Sequence, residues 1–262
     1  MMKIGIMQGR LVKPFNGHIQ EFPIDNWKDE FLLLNKLNLN HVDWIVTNTF
    51  FLNNPIFNTN LKNLSINSIC ADNLISNKIF DIDFLYENLN PLCEVALTQN
   101  IKSITIPLLE DSNIKDSSNR IKLKEMMLDY SNKYPGINFS FEFECDIEEI
   151  IELVDGVDNF KITYDTGNIV SYNKSDNPKI HLEYISKLFN KIDSIHLKDR
   201  TIDCRTVEPG AGDTKFDIIF KVLKSLNYDG SFTIQTARGL IGHEEETIKR
   251  HIEYFNKLYQ SI

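Results

Sequence analysis

The sequence predicts a single-domain α/β protein with a (β/α)8 TIM barrel fold, and three observations support this prediction. Short apolar runs of strand length alternate with longer segments of helical periodicity throughout residues 1–262. A chain of 262 residues suits one large α/β domain better than two domains of average size. Long loops at residues 48–53, 110–118 and 198–215 all follow predicted strands, whereas short turns precede strands. Loops of this kind form the active-site face of a barrel.

Eight strands and eight helices are predicted in alternating order. The strands cover residues 3–8, 41–47, 65–71, 102–107, 138–144, 160–165, 192–197 and 230–236, which are apolar or alternating runs. The helices cover residues 27–37, 54–64, 83–99, 119–134, 147–154, 177–189, 216–226 and 244–259, and the segment 54–64 has the least regular helical pattern. A doubly wound open sheet is the alternative architecture. It requires a glycine-rich phosphate turn after the first strand, but the sequence there is MQGRL, with one glycine.

Composition restricts the classes of partner. The net charge of -9 and the pI near 5.2 argue against a general nucleic-acid surface, which needs a basic face. No apolar stretch reaches the length of a membrane span, and the first residues enter a strand without a signal-peptide core, so a cytoplasmic protein with no membrane partner is expected. The cysteines form no C-x-x-C pair and are interpreted as reduced packing residues: Cys70, Cys93, Cys145 and Cys204.

Four successive predicted strands each carry, at the last or the last but one residue, a side chain that can bind a metal ion. These residues are Glu144, Asp165, His196 and Gln235. Their oxygen and nitrogen atoms suit Mn²⁺, Mg²⁺, Co²⁺ or Zn²⁺, and the absence of cysteine from the set argues against a closed structural zinc site. The sequence therefore predicts one divalent metal ion as cofactor.

Each of these residues also has a simpler interpretation. In residues 139–144 (FSFEFE) the glutamates share one face, where they could form an interior ion pair; Glu144 is the preferred ligand because it lies nearer the active-site end than Glu142. Asp165 could be a helix N-cap, and its Asp-Thr-Gly triplet also occurs in aspartic proteases, although the β-α pattern argues against that class. His196 and Gln235 could be ordinary polar interior residues. The expected convergence of these four residues on one barrel axis favours a metal site over the simpler interpretations.

Several cationic side chains lie on loops of the presumed active face. Arg10, Lys198, Arg200, Arg205 and Arg238 are predicted to bind a substrate phosphate or carboxylate, and surface salt bridges are the alternative for each of them. The segment 205–213 also carries two closely spaced glycines, whose backbone could approach an anionic ligand.

The motifs MQGRL (residues 7–11), VDWI (42–45), ICAD (69–72), ECD (144–146), YDTGN (164–168), IHLKDR (195–200) and PGAGD (209–213) together resemble the xylose-isomerase-like superfamily of TIM barrels. That superfamily includes sugar and sugar-phosphate isomerases and epimerases, and the resemblance extends over nearly the whole chain. It implies a metal-dependent isomerase or epimerase acting on a small-molecule sugar or sugar phosphate, with homo-oligomerisation left open.

The resemblance also implies roles for the strand-end residues. Glu144, Asp165, His196 and Gln235 would hold one divalent ion on two neighbouring ketose oxygens, and acids on strands five and eight would move a proton through a metal-stabilised enediolate. Gln235 departs from this pattern because an amide cannot abstract a proton at neutral pH. Glu144 is then the catalytic carboxylate, and either the reaction uses one base or a second base is supplied by another residue. The candidates are Asp43, Asp72, His18 and Lys198, and Asp43 is also predicted to bind substrate.

Three alternatives stay open within this resemblance. An inosose-type dehydratase also uses a metal-bound enolate. Endonuclease IV shares the barrel, but a resemblance to it would imply a three-zinc site rich in histidine. Here, of the six histidines, only His196 lies at the end of a predicted strand. The amide of Gln235 in place of an acid would also fit a non-catalytic sugar-binding barrel.

Overall fold

The structure, a computed structural model, describes residues 2–262 and shows eight parallel strands closed into a barrel, with helices between the strands. The strands are β1 (Lys3–Met7), β2 (Val42–Ile45), β3 (Ile66–Cys70), β4 (Ser103–Leu108), β5 (Asn138–Phe143), β6 (Phe160–Asp165), β7 (Ile192–Leu197) and β8 (Ser231–Ile234). Their order in the barrel is β1-β8-β7-β6-β5-β4-β3-β2. The predicted (β/α)8 fold and all eight predicted strands are confirmed.

Nine α-helices are present in residues 2–262. They are α1 (Trp27–Lys36), α2 (Ile82–Asn88), α3 (Asn90–Gln99), α4 (Ser117–Lys133), α5 (Ile147–Val154), α6 (Thr166–Asn173), α7 (Pro178–Leu188), α8 (Phe216–Ser225) and α9 (Glu244–Gln260). The predicted helix 83–99 is divided into α2 and α3, and Pro91, which has no backbone N–H, lies in the first turn of α3. Helix α6 was not predicted, because Thr, Gly and Asn at its start are weak helix formers.

The predicted helix at residues 54–64 is wrong, because the structure has only a short 3-10 turn there, Pro55–Phe57. The Asn54 side chain stabilises a loop conformation in this segment. Its oxygen accepts hydrogen bonds from the Trp44 indole N–H at 2.9 Å and from the backbone N–H of Ile56 at 3.1 Å. Its amide donates to the carbonyl of Ile45 at 3.1 Å. These buried bonds favour a compact turn after β2 over helix propagation.

The chain forms two compact units, and one of them comprises Tyr164–Ile262 together with the residues up to His41. In this unit β8 pairs with both β1 and β7 in parallel register. Aromatic rings of α8, α9 and β8 pack edge to face, with ring centroids 5.1 Å apart for Phe216 and Phe255 and 5.9 Å apart for Phe220 and Phe232. Burying such rings stabilises the unit by roughly 1.5–3 kcal/mol each.

The other unit is Val42–Thr163, in which β5 shows the predicted two-residue alternation. Phe139 and Phe141 are fully buried on one side of the strand. On the other side the Ser140 hydroxyl lies 2.8 Å from the Thr163 hydroxyl, which in turn lies 3.1 Å from that of Thr105. Glu142, two residues further along the same face, is therefore directed to the side that carries these hydroxyl groups.

Three of the four cysteines pack in the interior, as predicted. Cys70, Cys93 and Cys145 are buried, but Cys204 is exposed, so the packing interpretation is wrong for that residue. Cys204 lies in the loop after β7, where its backbone has a positive φ of 69°. Within residues 2–262, none of the helices combines the length and the apolarity that a membrane span requires.

Candidate metal and substrate site

Asp165 ends β6 and is also the N-cap of α6. Its Oδ1 accepts hydrogen bonds from the backbone N–H groups of Gly167 and Asn168, both at 2.9 Å. Its Oδ2 lies 2.6 Å from Nζ of Lys198, and the Asp165 side chain is fully buried. The two carboxylate oxygens therefore have different partners: one starts the helix and the other contacts a cation. The capping interpretation and a cation-binding role are compatible.

His196, near the end of β7, is fully buried beside Asp165. The possible metal-ligating atoms of these two residues lie within 4.8 Å of each other. The hydroxyl of Thr166 joins the ends of the two strands, since it donates to the backbone carbonyls of His196 at 3.2 Å and Lys198 at 2.8 Å. The structure thus brings two of the four predicted metal ligands together.

Gln235, which follows β8, has only 3% of its surface exposed. Its Nε2 donates to Oε1 of Gln20 at 2.9 Å. Within residues 2–262 its Oε1 is buried without a hydrogen-bond partner. An unsatisfied buried acceptor costs about 1–3 kcal/mol, so this oxygen is suited to binding a donor or a cation.

Arg10 and Arg238 both bind the backbone of the loop that follows β1. Nη1 of Arg10 and Nε of Arg238 each donate to the carbonyl of Ile19, the latter at 2.9 Å. Nη1 of Arg238 also donates to the carbonyl of Val12 at 3.3 Å. These two side chains therefore hold the loop in place, and their role in binding substrate stays a prediction.

Glu30 is a fully buried carboxyl group on α1 that lies beneath the same loop. Its Oε1 accepts hydrogen bonds from the backbone N–H groups of Gly9 at 2.7 Å and Leu11 at 3.2 Å. Desolvation by burial raises the pKa of Glu30 to about 8, although these two hydrogen bonds and the charges of Arg238 and Arg10 act in the opposite direction. No sequence pattern marks this residue as functional.

The raised pKa of Glu30 predicts a pH dependence of stability. Its stabilising contribution is fully present below the ordinary pKa of 4.5 and is lost as the pH rises through about 8, since the unfolded chain releases the proton first. Glu30→Gln, which keeps the acceptor oxygen, should therefore gain stability relative to wild type as the pH rises, by up to about 1.4 kcal/mol per pH unit. Urea unfolding at pH 5 to 8 measures this difference.

Asp29→Asn is the matched control, because Asp29 is exposed on the same turn of α1. Parallel stability profiles for wild type and Glu30→Gln across this pH range would contradict the prediction.

Lys198 and Arg200 lie beside the Asp165 group. Nζ of Lys198 is 3.4 Å and Nη1 of Arg200 is 3.2 Å from the side-chain oxygen of Asn168. Nη1 of Arg200 also donates to the hydroxyl of Ser171 at 2.7 Å. Both cations are only partly buried, so this corner combines positive charge with access to solvent.

Arg205 is an exposed residue of the loop that follows β7. Its side chain is 73% exposed, and its Nε pairs with Asp203 at 2.9 Å. This is the surface ion pair that is the alternative to substrate binding for this residue, and such pairs contribute little to stability.

The glycine-rich segment 209–213 binds an anion that belongs to the protein itself. The carboxylate of Asp199 accepts hydrogen bonds from the backbone N–H groups of Gly210 at 2.8 Å, Gly212 at 3.1 Å and Thr214 at 3.2 Å. A Cβ atom at Gly212 would lie 2.3 Å from Oδ1 of Asp199, so no larger residue fits there without rearrangement. The interpretation of these glycines as a binding loop for an external anion is corrected accordingly.

In the Val42–Thr163 unit one predicted site residue, Glu144, follows a strand and another, Asp43, lies within a strand. Glu144 directly follows β5 and is partly buried, whereas Glu142 within the strand is only 5% exposed and is among the carboxylates placed to ligate a metal ion. Asp43 of β2 is fully buried, and its Oδ1 accepts a hydrogen bond from Asn67 at 2.9 Å. The ligating atoms of Asp43 and Cys70 lie within 4.8 Å of each other.

The donor atoms fit a divalent ion. Asp165 supplies a carboxylate, His196 an imidazole and Gln235 a buried amide oxygen that has no hydrogen-bond partner in residues 2–262. This mixture of oxygen and nitrogen is typical of Mn²⁺, Mg²⁺, Co²⁺ and Zn²⁺ sites. Gln20, which contacts Gln235, carries no signal in the sequence, since no local pattern connects residues so far apart in the chain.

Comparison with known proteins agrees with this fold. A family model described as xylose isomerase-like TIM barrel matches residues 125–258. A search of curated proteins gives no match. Among solved structures, an IOLI protein with a zinc atom superimposes with a TM-score of 0.72 and 16% identity, covering 99% of both chains.

Two further solved structures are similar. The 3-keto-D-glucoside 4-epimerase YcjR from E. coli has a TM-score of 0.69 and 14% identity, covering 98% of this chain and 100% of its own. A D-allulose 3-epimerase from Methylomonas sp. in complex with D-allulose has a TM-score of 0.69 and 14% identity, covering 98% and 97%. At these identities the similarity shows a common fold.

Proposed function

The chain belongs to the xylose isomerase-like TIM barrel family, and from that premise we propose that it is a divalent-metal-dependent sugar or sugar-phosphate isomerase or epimerase. The observation that carries the proposal is the close approach of the ligating atoms of Asp165 and His196, both buried near the ends of adjacent strands. The similar structures include epimerases and a zinc-containing protein, which supports the same chemistry. Because one fold serves many reactions, the proposal rests on the site.

The proposed ligands are Glu144, Asp165, His196 and Gln235. They lie at or near the carboxyl ends of β5, β6, β7 and β8, which are consecutive in the closed barrel, and these ends of barrel strands form the active-site face. Glu142 is the competing ligand on β5, because it is more deeply buried than Glu144. When bound, a divalent ion supplies a Lewis acid that stabilises negative charge on neighbouring sugar oxygens.

The protein's own residues would supply binding and proton transfer. Glu144 is the proposed base that removes a proton from the carbon next to the sugar carbonyl and returns it to the adjacent carbon. Gln235 cannot act as a base, which favours an isomerase or another one-base reaction over an epimerase with two acids. The side chains proposed to bind substrate are Arg10, Asp43, Lys198, Arg200, Arg205 and Arg238. Among them, Lys198 and Arg200 have the best support, because both are partly accessible, Lys198 contacts Asp165 and Arg200 contacts the neighbouring Asn168.

A panel of ketoses and ketose phosphates, incubated with the metal-loaded protein and followed by NMR, tests the proposal. We expect conversion of at least one sugar to an isomer, with loss of conversion after chelation. Release of water from an inosose would support the dehydratase alternative. Binding of a sugar without any conversion would support the non-catalytic alternative, which the amide of Gln235 favours.

A further inference from the structure

The amide of Gln235 differs chemically from the carboxylate that it replaces in the resemblance. A carboxylate presents oxygen in either orientation, whereas an amide presents oxygen on one side and an NH₂ group on the other. Only one of the two amide orientations can bind a cation. The protein therefore needs a contact that fixes the orientation of Gln235.

Gln20 supplies this contact. Its Oε1 lies 2.9 Å from Nε2 of Gln235 and 3.4 Å from Nη2 of Arg10. A guanidinium group only donates hydrogen bonds, so the Gln20 atom that faces Arg10 is the acceptor oxygen. That oxygen in turn accepts a hydrogen bond from the NH₂ group of Gln235. The Oε1 atom of Gln235 then lies on the other side of its amide. Within residues 2–262 this Oε1 is buried without a hydrogen-bond partner.

The position of Gln20 is itself fixed. The carbonyl of the preceding residue, Ile19, accepts hydrogen bonds from both Arg10 and Arg238. Two cations therefore hold the backbone next to Gln20, although the Ile19 side chain is 64% exposed. Gln20 is thus held by its neighbours at the end of β8.

We propose that Gln20 is a positioning residue that orients the Gln235 amide so that its oxygen, and not its nitrogen, faces the metal site. Arg10 fixes the orientation of the Gln20 amide, and Gln20 fixes the orientation of the Gln235 amide. This inference rests on the proposed metal centre. It applies to this chain because strand eight here is followed by an amide in place of a carboxylate.

The test measures Mn²⁺ affinity by calorimetry on metal-free protein. Gln20→Met removes the acceptor, and the affinity should fall about tenfold, as expected when a hydrogen bond of roughly 1.4 kcal/mol no longer fixes the amide. Gln20→Glu keeps an acceptor and should lose no more than about threefold in affinity, on the same scale. Gln260→Met, at an exposed position in the last turn of α9, is the matched control and should bind as wild type.

Making Gln20→Met in a Gln235→Glu protein distinguishes the loss of an orienting contact from a general effect on folding. A glutamate at 235 should bind Mn²⁺ more tightly than wild type, because it adds a negative charge. Gln20→Met in this background should change the affinity less than about twofold, since a carboxylate needs no orienting contact. Thermal unfolding of each variant verifies that it is folded.

Three results would overturn the inference. Wild-type affinity in folded Gln20→Met would show that Gln20 does not orient Gln235, and it would leave the metal centre intact. Equal losses from Gln20→Met in both backgrounds would show that Gln20 only supports the loop. Absence of Mn²⁺ binding by wild-type protein would overturn the metal centre and the inference together.

Discussion

Asp165→Asn and His196→Ala are expected to abolish divalent-metal binding and to reduce turnover by roughly 10³-fold, because a bound Lewis acid contributes several kcal/mol to such reactions. Asp165→Asn should preserve the fold. An asparagine oxygen can still accept the N–H groups of Gly167 and Asn168, and asparagine is a good N-cap. The measurements are metal content by elemental analysis, turnover with the best sugar of the panel, and circular dichroism.

The matched controls are Asp158→Asn and His243→Ala. Asp158 is exposed and precedes β6, at the opposite end from Asp165, and His243 is exposed at the start of α9. Both controls should keep wild-type metal content and turnover. Undiminished metal content in Asp165→Asn and His196→Ala would contradict the assignment of these residues as ligands.

Glu144→Gln is expected to reduce exchange of the substrate α-proton with solvent by about 10² to 10⁴-fold, which is the contribution of a positioned general base. The isosteric amide cannot take up a proton at neutral pH. Because Glu144 is partly accessible at the end of β5, the substitution should leave stability nearly unchanged. Deuterium exchange followed by NMR measures the effect.

Glu142→Gln is the comparison that assigns the two glutamates of β5. If Glu144 is the base, Glu142→Gln should retain measurable exchange when saturated with metal. Exchange that survives in Glu144→Gln but disappears in Glu142→Gln would transfer the catalytic role to Glu142, the more deeply buried of the two.

The sequence predicted the strands well because each strand is an apolar or alternating run that the barrel buries. The phenylalanines of β5 are buried and Ser140 meets the hydroxyl of Thr163, as the period of two requires. The prediction of a helix at 54–64 is wrong because the side chain of Asn54 binds the backbone and Trp44. Helical periodicity does not reveal these contacts.

The candidate site was predictable to the extent that strand ends converge. Asp165 and His196 meet because they lie near the ends of neighbouring strands. The contact between Gln20 and Gln235 spans 215 residues, and the bonds of Glu30 to the β1 loop depend on how α1 packs. The glycines of segment 209–213 pointed to an external anion because the sequence alone could not show that Asp199 accepts their N–H groups.

Solvent deuterium incorporation with and without metal tests the central claim most directly. The protein is incubated in D₂O with the ketoses and ketose phosphates of the panel, first metal-loaded, then after chelation, then after metal is restored. Metal-loaded protein should incorporate deuterium at the carbon next to the carbonyl of at least one sugar, chelation should reduce incorporation to background, and restored metal should recover it. Undiminished incorporation by protein shown to be metal-free would contradict a metal-dependent isomerase or epimerase.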